Sequence, residues 1–230
     1  MTYKYLIYIA LHKRLKITRV VFENLKKLQE DFDFMVFGIC STREEAELCH
    51  EFNFDYGIEE NYPLGRKMNR GLLEAMRYDF EYLMQLGSDD LITHELFDVY
   101  QDMDDDYWGV NQVYVVEPSS ERAKRVTYGG VENPIWHPFG AGRVFKKTVL
   151  EKVLLHEDLW DDKQEKLLDN HSDLTMLKAG YRAKIYKHNF IGIIDIKSDV
   201  NIWSFDEVSG EEFNYTKIEP YLCRLADLIE

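Results

Sequence analysis

The sequence predicts an α/β fold, a mostly parallel central sheet flanked by helices, and three observations predict it. Strand-like and helix-like stretches alternate β-α-β-α-β over residues 3–58. Parallel strands need crossover helices of that kind. An amphipathic helix then leads into an apolar strand, which ends in the tight polar turn Gly87-Ser88-Asp89-Asp90. Finally, the chain has 230 residues, 45% of them hydrophobic and 14% aromatic. That is enough to bury a proper core in one domain of ordinary size, or two small ones at most.

The elements follow in order. Residues 3–10, YKYLIYIA, are rich in β-formers and end in a basic loop over residues 11–16. Thr18 is the expected cap of a helix carrying Val21, Leu25 and Leu28 at helical spacing. A second strand is expected over residues 32–39. Two overlapping capping boxes, Ser41 with Glu44 and Thr42 with Glu45, then open a helix that runs to about Phe52. A short strand lies near residues 56–58. In the helix over residues 64–78, Leu64, Met68, Leu72, Ala75 and Met76 share one face, while Arg66, Lys67 and Arg70 share the opposite one. A solvated basic face accounts for that pattern. So does a phosphate-facing role, since helix N-termini attract phosphate.

The strand over residues 82–86 runs into the acidic turn, and Thr93 is the expected cap of a helix over residues 94–100. An apolar strand ending in adjacent carboxylates suits a hard cation such as Mg²⁺ or Mn²⁺. Asp also favours turns on its own account. Residues 102–106 read as a solvated loop, 108–116 as a strand, and 117–125, with Pro118, as a surface loop. The stretch 128–139 is aromatic and punctuated by Gly and Pro; 140–145 is a glycine-marked strand, and a helix starts at Thr148. Residues 163–179 read as a helix stopped by Gly180, with Leu167, Leu174 and Leu177 on its core side. Asp169 and Asp173, four apart, share one face of it. Strands over 182–187 and 190–196, with His188 between them, precede an aromatic tail and a final helix from about Ile218.

Charge narrows the function. The net charge is −14, with 42 acidic residues against 28 Lys and Arg, a balance that repels nucleic-acid backbones. The three cysteines, Cys40, Cys49 and Cys223, form no CxxC pair and read as reduced thiols of an intracellular protein. With no charged-then-apolar leader and no apolar run near ~18 residues, the expectation is a cytoplasmic protein without a membrane span.

Four places together resemble the family 2-type glycosyltransferases of the GT-A fold, over residues 4–192. The first is the opening strand with its polar exit loop to Arg14. The second is NYPLGRKMNRGLLEAMR, similar to the family's helix against the nucleotide. The third is FEYLMQLGSDDLIT, similar to its strand ending in an Asp-x-Asp metal motif. The fourth pairs GAGRVFKKTVLEKV with LLDNHSDLTMLKAGYRAKIY, similar to the acceptor-side glycine strand and the helix of the catalytic base.

The resemblance implies a single GT-A-like, Rossmann-like domain over residues 1–230. Residues 1–92 would form its nucleotide-sugar half, 93–200 its acceptor half and 201–230 a tail and helix. It implies transfer of a sugar from a UDP-linked donor to an acceptor hydroxyl with inversion, assisted by Mn²⁺ or Mg²⁺. Asp89, Asp90 and His188 would meet the metal. Arg66, Lys67, Arg70 and Ser88 would meet the donor, and Asp169 or its rival Asp173 would act as base. Two positions depart from the family: Gly87 stands at the first Asp of the motif, and Leu168-Asp169 stands where Glu-Asp is usual. A sugar nucleotidyltransferase would share the fold class but carry a glycine-rich loop after the first strand, where Ala10-Leu11-His12-Lys13-Arg14 has no glycine. Gly87 also fits a nucleotide-sugar-binding protein without turnover.

Overall fold

A computed structural model describes residues 2–128, 137–198 and 204–222. Its larger sheet is built from β1 (Tyr3–Ala10), β2 (Phe34–Cys40), β3 (Asp55–Ile58), β4 (Phe80–Gly87), β6 (Tyr107–Val110), β9 (Arg143–Lys146) and β10 (Lys184–Tyr186). The order is β10-β6-β9-β4-β1-β2-β3. Only β9 runs antiparallel to its neighbours, so the sheet is mostly parallel as expected. Strand β2 is buried at every residue, which is why it reads as a continuous apolar run. In β1, Leu6 and Tyr8 face α3 (Leu64–Ala75), α5 (Lys147–Leu154) and α6 (Leu168–Lys178), while Tyr5, Ile7 and Ile9 face α1 (Leu15–Leu28).

A smaller sheet contains β5 (Asp90–Ile92), β7 (Gln112–Glu117), β8 (Arg122–Thr127), β11 (Ile193–Ile196) and β12 (Glu211–Phe213), in the order β12-β8-β7-β11-β5. The sequence did not announce this sheet. The stretch read as one strand over 108–116 is β6 and β7, and at Asn111 the chain passes from one sheet to the other. The loop expected over 117–125 is a 3-10 turn at Pro118–Ser120 followed by β8. Strand β8 buries only Ala123 and Val126 among basic residues, too thin an apolar signal to stand out.

Other boundaries moved for local reasons. Helix α1 begins at Leu15, so Thr18 is not its cap; buried in the first turn, it donates its hydroxyl to the Ser88 carbonyl at 3.3 Å. Of the two capping boxes only Thr42 with Glu45 forms, at the start of α2 (Arg43–Glu51), because Glu45 also accepts the Ser41 N–H at 2.6 Å. Thr93 caps α4 (His94–Gln101) as expected. Helix α6 starts at Leu168 rather than 163, after Leu167 turns left-handed at φ 60°. Its buried stripe is therefore Leu168, Ser172, Thr175 and Met176, and Leu167, Leu174 and Leu177 are 63%, 53% and 45% exposed. Of the helix expected from about Ile218, only residues up to 222 are described, and 3-10 turns lie at Tyr215–Lys217 and Glu219–Leu222. Residues 223–230, Cys223 among them, lie outside the described residues, as do 129–136 and 199–203. Cys40 and Cys49 are buried free thiols. Among the described residues no helix is long and apolar enough to cross a membrane.

The strand order reverses at β1, with β2 and β3 on one side and β4 on the other. A crevice opens at the carboxyl ends of the strands at such a switch point, and ligands of open α/β sheets bind there. The acidic turn lies at that end of β4, where the chain leaves the larger sheet for β5.

Candidate functional site

A cleft of about 400 Å³ lies beside the acidic turn. Asp89 and Asp90 line it together with Asp195 and Lys197 from β11 and its exit, Gln85 from β4, and Asp169 from the first turn of α6. Val113, Val115 and Val126 of the smaller sheet, with Tyr128 and Phe139, supply an apolar wall. Tyr128 and Phe139 stack with ring centroids 3.7 Å apart.

The turn is tightly determined. The Gly87 N–H donates to Asp90 Oδ2 at 2.8 Å. A Cβ on residue 87 would lie 2.3 Å from that same oxygen, so the space a side chain at 87 would enter is filled by the Asp90 carboxylate. This explains the glycine where the resembling family carries its first Asp. Asp89 is ion-paired through Oδ2 with Nη1 of Arg14, which stands at the end of the β1–α1 loop. Asp195 lies opposite Asp90 in the β5–β11 register, and Lys197 Nζ is 2.7 Å from Asp195 Oδ2.

Three carboxylates and two cations thus share one nearly dry corner. Burial raises the Asp89 carboxyl and the Arg14 charge opposes it. Burial pushes Asp90 well above the usual carboxylate range, with the charges of Asp89 and Asp195 adding to the rise. At Lys197 burial works to lower the ammonium, but Asp195, Asp89 and Asp90 outweigh it and the net shift is upward. Arg14, Asp195 and Lys197 were not named as site residues from the sequence. A usable signal existed in Ile193-Ile194-Asp195-Ile196-Lys197, since a charge inside a buried apolar strand needs a partner.

The two candidate bases part company. Asp169 faces the cleft, with Oδ1 3.3 Å from Gln85 Nε2. Gly140 passes so close that a Cβ there would lie 2.2 Å from Asp169 Oδ1. The fully buried Arg143 holds this corner together, donating to the Asp169 carbonyl at 2.9 Å, Ser172 Oγ at 2.6 Å and the Pro138 carbonyl at 2.5 Å. Asp173, one turn on, accepts the Tyr107 hydroxyl at 3.0 Å and does not line the cleft.

The remaining expected site residues are scattered. Lys67 does not belong to a solvated basic face. It is fully buried and donates to Ser41 Oγ at 2.6 Å, Asn61 Oδ1 at 3.1 Å and the Leu11 carbonyl. Burial brings its ammonium down to about 8. Arg66 turns to Glu60, at 3.3 Å, and to the Tyr62 carbonyl, at 3.2 Å; Arg70 is exposed, and neither lines the cleft. Ser88 is fully buried behind the turn. His188 is removed from the acidic turn. It packs between the Tyr186 and Phe190 rings, its Nδ1 2.8 Å from the Phe190 carbonyl, and Asp195 lies at the far end of β11.

The corner does not fit a ready-made metal site. Its carboxylates are the hard donors Mg²⁺ or Mn²⁺ takes, but Asp89 and Asp195 each hold a protein cation and Asp90 is turned back on Gly87. Among the described residues no group of three or more His, Cys, Asp or Glu is disposed to hold a metal ion.

No protein-family model matches the sequence, and no curated protein does. Solved structures match in fold. Inositol-1-phosphate CTP transferase from T. maritima superposes with a TM-score of 0.56 at 10% identity, over 99% of this chain and 98% of that one. The 4-diphosphocytidyl-2C-methyl-D-erythritol synthase gives 0.52 at 13% identity over the whole of both chains. S. aureus TarS gives 0.53 at 14% identity over 85% of this chain, which spans only 37% of TarS. At such identities the likeness is one of fold alone, and it supports a GT-A-like α/β architecture with a central sheet flanked by helices.

Proposed function

We propose that this chain is a glycosyltransferase that moves a sugar from a nucleotide-sugar donor, UDP-linked on the resemblance alone, to an acceptor hydroxyl. One observation carries the reading: the carboxylate of Asp169 opens into the same cleft as the charged corner at Asp89, whereas Asp173 does not. Sugar transfer needs both ends of that arrangement. Positive charge must stabilise the departing diphosphate, and a carboxylate must take the acceptor's proton on the opposite face of the sugar. In this reading the donor's phosphates lie at the turn, Asp169 is the base, and the apolar wall with Tyr128 and Phe139 receives the acceptor. The deciding experiment is a panel of nucleotide-sugars assayed for release of nucleoside diphosphate, with simple glycosides as acceptors. Turnover of at least one donor is expected; release from none of them rejects the reading.

A sugar nucleotidyltransferase is the second reading. It is favoured by the full-length match to structures whose names carry cytidine nucleotide chemistry. Against it, the loop after β1 has no glycine. The same assay with CTP and sugar phosphates separates the two, because this reaction releases pyrophosphate instead.

A further inference from the structure

We propose that Arg14 and Lys197, not a divalent metal ion, supply the positive charge that holds the donor's diphosphate, so that this chain binds nucleoside diphosphates without metal. The inference rests on the nucleotide-sugar reading above and concerns the same corner of the cleft.

The places a metal would need are already taken. A metal at the turn would have to draw Asp89 away from Arg14 and Asp195 away from Lys197. Both cations are well buried, with side chains 15% and 9% exposed, so breaking either pair would leave a desolvated charge unpaired. Nor can a carboxylate be supplied from position 87, since the Asp90 side chain fills that space.

The cations are also placed for phosphate. Arg14 stands at the carboxyl end of β1, at the point where the strand order reverses, and Asp89 stands at the end of the neighbouring β4. A guanidinium has five N–H donors in a fork that matches phosphate oxygens, and only Nη1 bonds to Asp89. Lys197 lines the cleft directly, and its ammonium has three donors. The carboxylates then act as fixed partners that hold both cations in position before the ligand arrives. Asp89 and Asp195 are each matched by one of these cations, one carboxylate against one cation.

Calorimetric titration of the whole chain with UDP, CDP, GDP and ADP tests this, run in EDTA and again in Mg²⁺ or Mn²⁺. At least one nucleoside diphosphate should bind in EDTA, with affinity within about threefold of that in metal. Arg14→Ala and Lys197→Ala should each weaken it about 10- to 150-fold, the loss of a charge-assisted hydrogen bond. Arg14→Lys and Lys197→Arg keep the ion pairs and should bind more tightly than the alanine variants, even if those fold poorly. Binding that requires metal overturns the inference and leaves sugar transfer standing. Unchanged affinity in every variant also overturns it. Binding of no nucleoside diphosphate under either condition overturns both this inference and the nucleotide-sugar reading.

Discussion

Lys67 is a fully buried cation whose ammonium donates to three neutral oxygens, those of Ser41, Asn61 and Leu11. These bonds satisfy its three donors, yet burial still lowers its ammonium to about 8. The sign of the pH effect follows. The unfolded chain binds this proton up to about pH 10.4 and the folded chain only up to about 8, so stability rises with pH across that window. The penalty is fully present below pH 8. Lys67→Met should abolish the rise, which is on the order of 3 kcal/mol at most; denaturant melts of parent and variant at pH 7.5 and 10.5 compare the two slopes, and parallel slopes would refute the account. The helical pattern showed Lys67 to lie off the apolar stripe. It could not show that the carboxyl ends of β1 and β2 close over that face. Asp169 and Asp173 stood out because two carboxylates four apart share one helix face, and the resemblance, counted back from Gly180, favoured Asp169; that Asp173 accepts the hydroxyl of Tyr107, 66 residues away, was not legible. Asp169→Asn should cut turnover by ~10²–10⁴ and leave donor affinity near the parent's. Asp173→Asn keeps an acceptor oxygen for Tyr107 and should cost stability of about 1 kcal/mol with little loss of rate. Equal losses of rate in the two variants would remove Asp169 as the base.

At the scale of elements, the site is assembled by crossings between sheets rather than by any one motif. Strand β4 delivers the turn, β11 brings Asp195 and Lys197 alongside it, and α6 aims Asp169. The first was legible because a long apolar strand ending in Asp-Asp is a local pattern. The second was not, because β11 pairs with β5 across about a hundred residues of chain. The aim of α6 depends on a close backbone approach at Gly140 and on Arg143 beneath it. Gly140→Ala puts a Cβ 2.2 Å from Asp169 Oδ1, so the carboxylate must swing aside. A shift of that size costs about 10² in rate when the group is the base. The expected result is a lowered kcat with donor affinity and melting temperature close to the parent's. A variant as fast as the parent would show that the carboxylate is not held by this contact.

At the scale of the whole molecule, one hydrophobic core joins the two sheets. Tyr5, Ile7 and Ile9 of the larger sheet belong to the same buried cluster as Val113, Val115 and Ile194 of the smaller one. The chain also passes between the sheets at the acidic turn and again at Asn111. The cleft lies along that seam, so its geometry persists only while both sheets are folded. Two sheets sharing one core should unfold as a unit. Ile194 tests this because it is fully buried and pairs with β5 and β7. Ile194→Ala should lose about 2–5 kcal/mol and move the whole transition to lower temperature. In scanning calorimetry the calorimetric and van't Hoff enthalpies should stay equal in parent and variant. If the smaller sheet were independent, the variant would instead show an early transition of its own, with the main one unshifted. Under a shared core, any ligand that spans the seam raises the single midpoint by an amount set by its concentration over Kd, and the same ligand should stabilise the Ile194 variant by an equal free energy.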